Sequence, residues 1–355
     1  MLAVVGAAAL AAVFFGPGIV FTRDQKPVPI AGSFNRDGNA SSTEDVVAQA
    51  PVPVGPVKLL AFGDLLLDRY IKRAIDNNDR DYPLVNLKEF LAGHDLVLAN
   101  LEGSFTDYDP KPLDPNNASF TFAPELVALL KDYGFNILNL ANNHVRDFGA
   151  DGFSQSQAYL DAAGISHFGD YYNENGAVVK EINGLKIAFL AYNEFGDASV
   201  AGTVTKIKEA ALTADRVVVY THWGNEYQTN FSVLQQEKAR QLIDAGADVV
   251  LGSHSHVIQP VEIYNGKPIF YSLGNFLFDQ IFSEEVTHGL AVDIVFWEDK
   301  TEYNLYITEM NKMQVSLAAA EKTATILTKI SQGSVAIDEI KTGIAAGGFV
   351  LVESE

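Results

Sequence analysis

Asp248-Val249-Val250-Leu251-Gly252-Ser253-His254-Ser255-His256 is a brief apolar run that stops on small residues and a pair of histidines. Too short for a buried helix and bounded by Asp and Gly, the run reads as an interior strand. The same texture recurs at residues 57–62, 96–100, 136–140, 185–192 and 216–221. Between these runs the amphipathic stretches 123–133, 152–163 and 233–245 predict helices, the first with Pro124 in its opening turn, where its missing N–H is harmless. Strand alternates with helix, so the chain is of the α/β class. After His256 the strands crowd together: Val261–Tyr264 and residues 268–272 flank Asn265-Gly266, a two-residue hairpin signal. Residues 290–297, 303–310 and 349–352 add β-rich runs, and residues 318–332 read as a helix.

The chain has 355 residues, 48% of them hydrophobic and 20% charged, enough apolar side chain for a large core. Its formal net charge of −20 repels phosphate backbones, which argues against nucleic acid as a partner. The same field disfavours any anionic substrate unless bound metal reverses the charge locally. Cysteine is absent, which removes disulfides, thiolate sites and cysteine nucleophiles. From residue 2 to residue 22 no side chain is charged, and at about 1.5 Å per residue the run is long enough for the ~30 Å hydrocarbon core. We read residues 1–23 as a single-pass anchor in the cell membrane, with a cleaved secretory signal as the alternative. Residues 24–56, rich in Pro, Ala, Ser and Asn, read as a flexible linker. Residues 57–355 then form the domain, held outside the membrane.

Polar residues with metal-ligand chemistry recur where the apolar runs stop. Asp64 follows the first run, Glu102 the second, Asn142, Asn143 and His144 the third; His222 follows residues 216–221, and His254 and His256 follow residues 248–253. In an α/β sheet the carboxyl ends of strands share one edge, where ligands bind. Of seven histidines, four occupy such ends; His94, His167 and His288 are left as structural. An i, i+2 histidine pair in extended backbone places both imidazoles on one side. Imidazole with carboxylate and amide oxygen suits Zn, Fe or Mn, and paired divalent ions would neutralise a phosphate and acidify a water. No G-x-S-x-G elbow, Walker loop or strand-linked G-x-G-x-x-G occurs, so serine hydrolase, P-loop and dinucleotide chemistries are poorly supported.

Phe62-Gly63-Asp64 with Asp68-Arg69, Ala99-Asn100-Leu101-Glu102-Gly103, Leu140-Ala141-Asn142-Asn143-His144 with Asp147, His222-Trp223-Gly224-Asn225-Glu226-Tyr227, Gly252-Ser253-His254-Ser255-His256 and Phe270-Tyr271-Ser272-Leu273-Gly274-Asn275-Phe276 together resemble the CapA family of poly-γ-glutamate capsule synthesis. That family is similar to calcineurin-like metallophosphatases. The resemblance implies a four-layer α/β/β/α sandwich and a metal-dependent, phosphoesterase-type hydrolase site. By the same resemblance Asp64 and His256 hold one ion, Asn143, His222 and His254 hold a second, and Glu102 bridges them. His144 would be the general acid, Asp147 its orienting partner, and Arg69 a contact for a substrate anion. The implied partners are an anionic polymer or phosphate ester and other capsule-synthesis membrane proteins. One departure stands out: metallophosphatases open with Asp-x-His, and here Leu66 takes the place of that His. A non-catalytic capsule-assembly subunit, or a helper that joins the polymer to an acceptor, is the competing expectation.

Overall fold

The computed structural model describes residues 55–109 and 119–352. The expected anchor and nearly all of the expected linker lie outside the described residues. Among the described residues no helix is long and apolar enough to cross a membrane.

Strands buried on both faces need continuous apolar sequence, and the runs singled out above supply it. They build a nine-stranded and a six-stranded sheet. In the first, Val57–Leu65 runs parallel to Leu96–Leu101, which is followed outward by Ile137–Asn139 and Ser166–Phe168, all parallel. On its other side Val57–Leu65 pairs antiparallel with His288–Phe296, which continues into Lys300–Asn311 and Gln314–Leu317. In the second sheet Leu185–Asn193, Arg216–His222, Val249–Ser253 and Lys267–Phe270 are parallel neighbours, with Val178–Ile182 and Val261–Tyr264 antiparallel at the edges. Asn265 and Gly266 make the hairpin turn with φ of 49° and 73°, the left-handed pair that a two-residue turn requires.

Side-chain alternation sorts these strands into layers. Leu59 and Ala61 face Ile187, Phe189, Val218, Tyr220 and Leu251 in an interior core between the sheets. Leu60, Phe62 and Val97 point the other way, onto Ile71 and Ile75 of the Arg69–Asn77 helix and Leu129 and Leu130 of the Val127–Asp132 helix. On the far side Leu190, Val217 and Val219 pack against Ile207 and Leu242 of the Ala201–Ala210 and Val233–Asp244 helices. Each fully buried side chain of this kind contributes roughly 1.5–3 kcal/mol of transfer free energy. The architecture is the expected four-layer α/β/β/α sandwich. The stretch predicted as a helix over 123–133 opens instead as a 3₁₀ turn at Pro124–Leu126 before the Val127–Asp132 helix.

Register then sets the site. Asp64 pairs with Asn100 and with Asn275, and Asn100 with Asn139, in one row; Asn193, His222 and Ser253 align in the facing row. Two glycines let the backbones close up just before these ends. A Cβ on Gly63 would lie 1.8 Å from the Gly274 carbonyl oxygen, and one on Gly252 would lie 2.1 Å from that of Tyr271. Replacing Gly63 by Ala is therefore expected to lower stability by about 3 kcal/mol or more, read from denaturant melts, because backbone rather than a mobile side chain must yield. An unchanged midpoint would mean that the strands do not approach this closely.

Candidate metal centre

Polar groups at strand ends are normally solvated, but here the two sheets close over them. Asp64, Glu102 and His222 are each 0% exposed, and His254 and His256 are 5% and 3% exposed. Ligand-capable atoms of Asp64, Glu102 and His222 all fall within 4.8 Å of one another. His256 Nδ1 stands 3.3 Å from Asp64 Oδ2, and His222 Nε2 stands 2.8 Å from Asn143 Oδ1 and 3.1 Å from His254 Nδ1. Glu102 Oε1 lies 3.9 Å from both His144 Nε2 and His256 Nε2. The structure thus brings Asp64, Glu102, Asn143, His144, His222, His254 and His256 to one place.

The surrounding amides fix these groups. Asn100 Oδ1 accepts from Asn139 Nδ2 at 2.8 Å and Asn142 Nδ2 at 3.1 Å, which turns its own Nδ2 to donate to Asp64 Oδ1 at 2.8 Å. Ser253 Oγ, which donates to the Thr221 carbonyl at 3.3 Å, lies 2.8 Å from His222 Nδ1, and Asn100 Nδ2 lies 3.3 Å from the same ring nitrogen. With the proton on Nδ1, His222 Nε2 presents a lone pair to the Asn143 oxygen 2.8 Å away and to His254 Nδ1 at 3.1 Å. Lone pairs that converge in this way repel unless a cation or a proton stands between them. His144 Nδ1 meets Asp147 Oδ2 at 2.8 Å, and Asp147 also accepts from the Phe120 N–H at 2.8 Å.

Glu102 gives the clearest sign of what fits. Both its carboxylate oxygens are buried and neither has a hydrogen-bond partner among the described residues. Burial first, and then the charge of Asp64, push the Glu102 carboxyl well above the usual range. For Asp64 burial also pushes upward, but the hydrogen bond and charge of His256, with His222 and Asn100, outweigh it and hold that carboxyl low. Burial and then the charge of His254 keep His222 well below the usual histidine range, and burial with the charge of His256 takes His254 down to about 4. Imidazoles that resist taking up a proton, beside a carboxyl that burial and Asp64 make reluctant to lose one, form a donor set that a divalent cation would suit.

One sequence expectation meets a different local reality, and two other singled-out residues find defined places. The two histidines of Ser253-His254-Ser255-His256 do not converge through extended backbone: His254 has φ of 90° and His256 of 57°, and the left-handed turn brings their ring centroids to 6.0 Å. Arg69, also left-handed at φ 53°, gives its Nε and Nη2 to Asp279 and lies 4.7 Å over the Phe120 ring. Leu66 is fully buried in the outer apolar core. Asn275 carries no role in the sequence reading, yet its Oδ1 meets His256 Nδ1 at 2.9 Å while its Nδ2 donates to the Val286 carbonyl at 2.9 Å. Asn100 likewise has none there, although a polar residue near the end of an otherwise apolar interior strand is a signal for it. Aromatic rings close the cleft, with Phe195 4.3 Å from His254, Phe278 4.7 Å from His256 and Phe120 4.1 Å from His144, centroid to centroid.

Residues 58–280 match the family described as bacterial capsule synthesis protein PGA_cap. The chain belongs to this family. Its PGA_cap relatives include a capsule biosynthesis protein CapA from Bacillus anthracis, 34% identical over 244 residues, which cover 61% of this chain and 59% of the relative. The PGA biosynthesis protein CapA of Bacillus subtilis is 32% identical over 236 residues, covering 61% of this chain and 62% of the relative. The PGA_cap chain thus spans about three-fifths of the length of these curated relatives. Among solved structures a phosphatase from Mycoplasma pneumoniae is similar at 15% identity with a TM-score of 0.41, covering 74% of this chain and 91% of that one. At that score no functional assignment follows.

A carboxyl whose folded-state value is raised loses stability as pH climbs past its unfolded value, so at pH 7 the Glu102 charge works against the fold. Glu102→Gln is accordingly expected to stabilise the metal-stripped protein by on the order of 1–3 kcal/mol while reducing the extra stabilisation that added Mn²⁺ confers. Thermal melts with and without Mn²⁺ read both effects; a destabilised variant with an unaltered Mn²⁺ response would contradict this account of the site.

Proposed function

We propose that this PGA_cap-family chain is a metal-dependent hydrolase of phosphate esters serving polyglutamate capsule synthesis at the outer face of the cell membrane. The observation that carries the reading is the buried Glu102 carboxylate, unpartnered among the described residues and set among Asp64, His222, His254 and His256. Its capsule context rests on the names of the Bacillus relatives, and its location on the uncharged run at residues 2–22.

In this reading Asp64 and His256 would hold one divalent ion and Asn143, His222 and His254 a second, with Glu102 available as a further carboxylate ligand. Such ions supply Lewis acidity toward a phosphate and lower the pKa of water. The chain's own residues do the rest. Asn100 and Ser253 keep Asp64 and His222 in their ligand orientations. Asp147, by accepting from Nδ1, commits His144 Nε2 to proton transfer at the leaving oxygen. Phe120, Phe195 and Phe278 narrow water access. Arg69, held by Asp279, keeps Nη1 clear of that pair as a donor for substrate oxygens.

A specific observation favours a second reading, a non-catalytic assembly subunit: Leu66 adds core packing where a metallophosphatase would place a histidine ligand. One experiment separates the two. The full chain loaded with Mn²⁺, Fe²⁺ or Zn²⁺ is assayed on phosphomonoesters and diesters, with metal content measured in parallel. We expect hydrolysis that falls by on the order of 10²-fold or more in His222→Ala and His254→Ala. Asp147→Asn should lower kcat by roughly 10–100-fold with bound metal unchanged. Less than one tightly held ion per chain together with no hydrolysis would sink the enzymatic reading and leave the assembly subunit.

A further inference from the structure

Away from the metal cleft, the Ala320–Gly333 helix leans over a cavity of about 630 Å³, within the size range of small-molecule sites. Helical spacing explains what it presents there: Lys322, Ile326, Lys329 and Ile330 stand at i, i+4, i+7 and i+8, one stripe in which lysine and isoleucine alternate. Ile258 and Pro260 continue the apolar wall across the cavity.

The charges divide unevenly. Lys322 is already taken, 2.7 Å from Glu309 and 3.5 Å from Glu284. Glu285 satisfies its carboxylate within its own turn, where hydrogen bonds from its backbone and from Ser283 hold it below the usual range. Lys329, exposed, makes no ion pair or hydrogen bond among the described residues; Glu285 is the acid whose field it shares, and Glu321, in the first turn of the helix, is the remaining acid of the lining. His288 lines the same space, 3% exposed. Its Nδ1 lies 2.7 Å from the Glu284 carbonyl, which can only accept, so that nitrogen carries the proton; Nε2 is buried with no hydrogen-bond partner and stands 3.8 Å from Glu309. An apolar trough with an unengaged ammonium at its rim suits a ligand with an anionic oxygen head and a hydrocarbon body.

We propose that this cavity is a binding site for a small aliphatic anion, a carboxylate or phosphate monoester, with its head at Lys329 and its chain along Ile326, Ile330, Ile258 and Pro260. The helix lies beyond residue 280, where the family match ends, and the site does not depend on the metal centre.

Calorimetric titration of the full, chelator-treated chain tests it, using octanoate and octyl phosphate as probes and octylammonium and inorganic phosphate as controls. The expected result is saturable one-to-one binding of octanoate or octyl phosphate, with the tighter of the two identifying the head group, and binding of both controls weaker by about tenfold or more. Lys329→Glu should weaken the anionic probes by about tenfold while Lys329→Arg retains them, and Thr325→Trp, which puts an indole on an exposed lining position, should block them. Octylammonium binding as tightly as octanoate, octanoate affinity untouched by Lys329→Glu and Thr325→Trp, or no saturable binding of either anionic probe would overturn the proposal.

Discussion

Two carboxyl groups, Asp64 and Glu102, share a space that two sheets close to water. Like charges in a dry setting cannot both stay ionised without compensation, and the neighbourhood supplies it unequally. Asp64 receives an amide from Asn100, the backbone N–H of His254 and the His256 ring. Glu102 receives no hydrogen bond from any described residue. That imbalance is what a cation would correct. It also explains why the strand ends carry amides and histidines rather than lysine or arginine: a fixed positive side chain would satisfy Glu102 permanently and leave nothing for an exchangeable ion to do.

The layers were legible because interior strands need unbroken apolar runs, and those at 57–62, 96–100, 185–192 and 216–221 had no amphipathic reading to compete with them. The Arg69–Asn77 helix was not legible. Only Ile71 and Ile75 of it are buried, and its entry is fixed by the Asp68 side chain accepting from the Arg69 N–H, with nothing in the flanking apolar pattern to announce it. At the site, ligand-type residues could be picked out by their position after apolar runs, and the motifs pointed to the family that the chain belongs to. What spacing could not supply was the backbone path between them. His254 and His256 approach the cleft through left-handed conformations that no i, i+2 rule contains, and Asn275 acts from a segment that joins Val57–Leu65 only at the end of that strand.

Backbone strain gathers at this rim. Arg69, Tyr227, His254 and His256 all have positive φ without being glycine, conformations that each cost of order 1–3 kcal/mol. They persist because packed sheets on both sides leave the loops no alternative. Asn275 is part of that hold: one amide ties His256 on one side to the Val286 backbone on the other, and Val286 belongs to the turn whose acids border the second cavity.

The strand that carries Asp64 opens the described fold yet sits in the middle of its sheet, with Leu96–Leu101 on one side and His288–Phe296 on the other. A chain that emerges from its amino end must therefore leave one edge of Val57–Leu65 bare until residues 275–296 of its 355 have been delivered. An unpaired edge of this kind is open to wrong partners until its own neighbours arrive. The later part of the chain is thus no appendage: His288–Phe296 seals the amino-terminal half of the first strand, and Asn275 flanks Asp64 near its end.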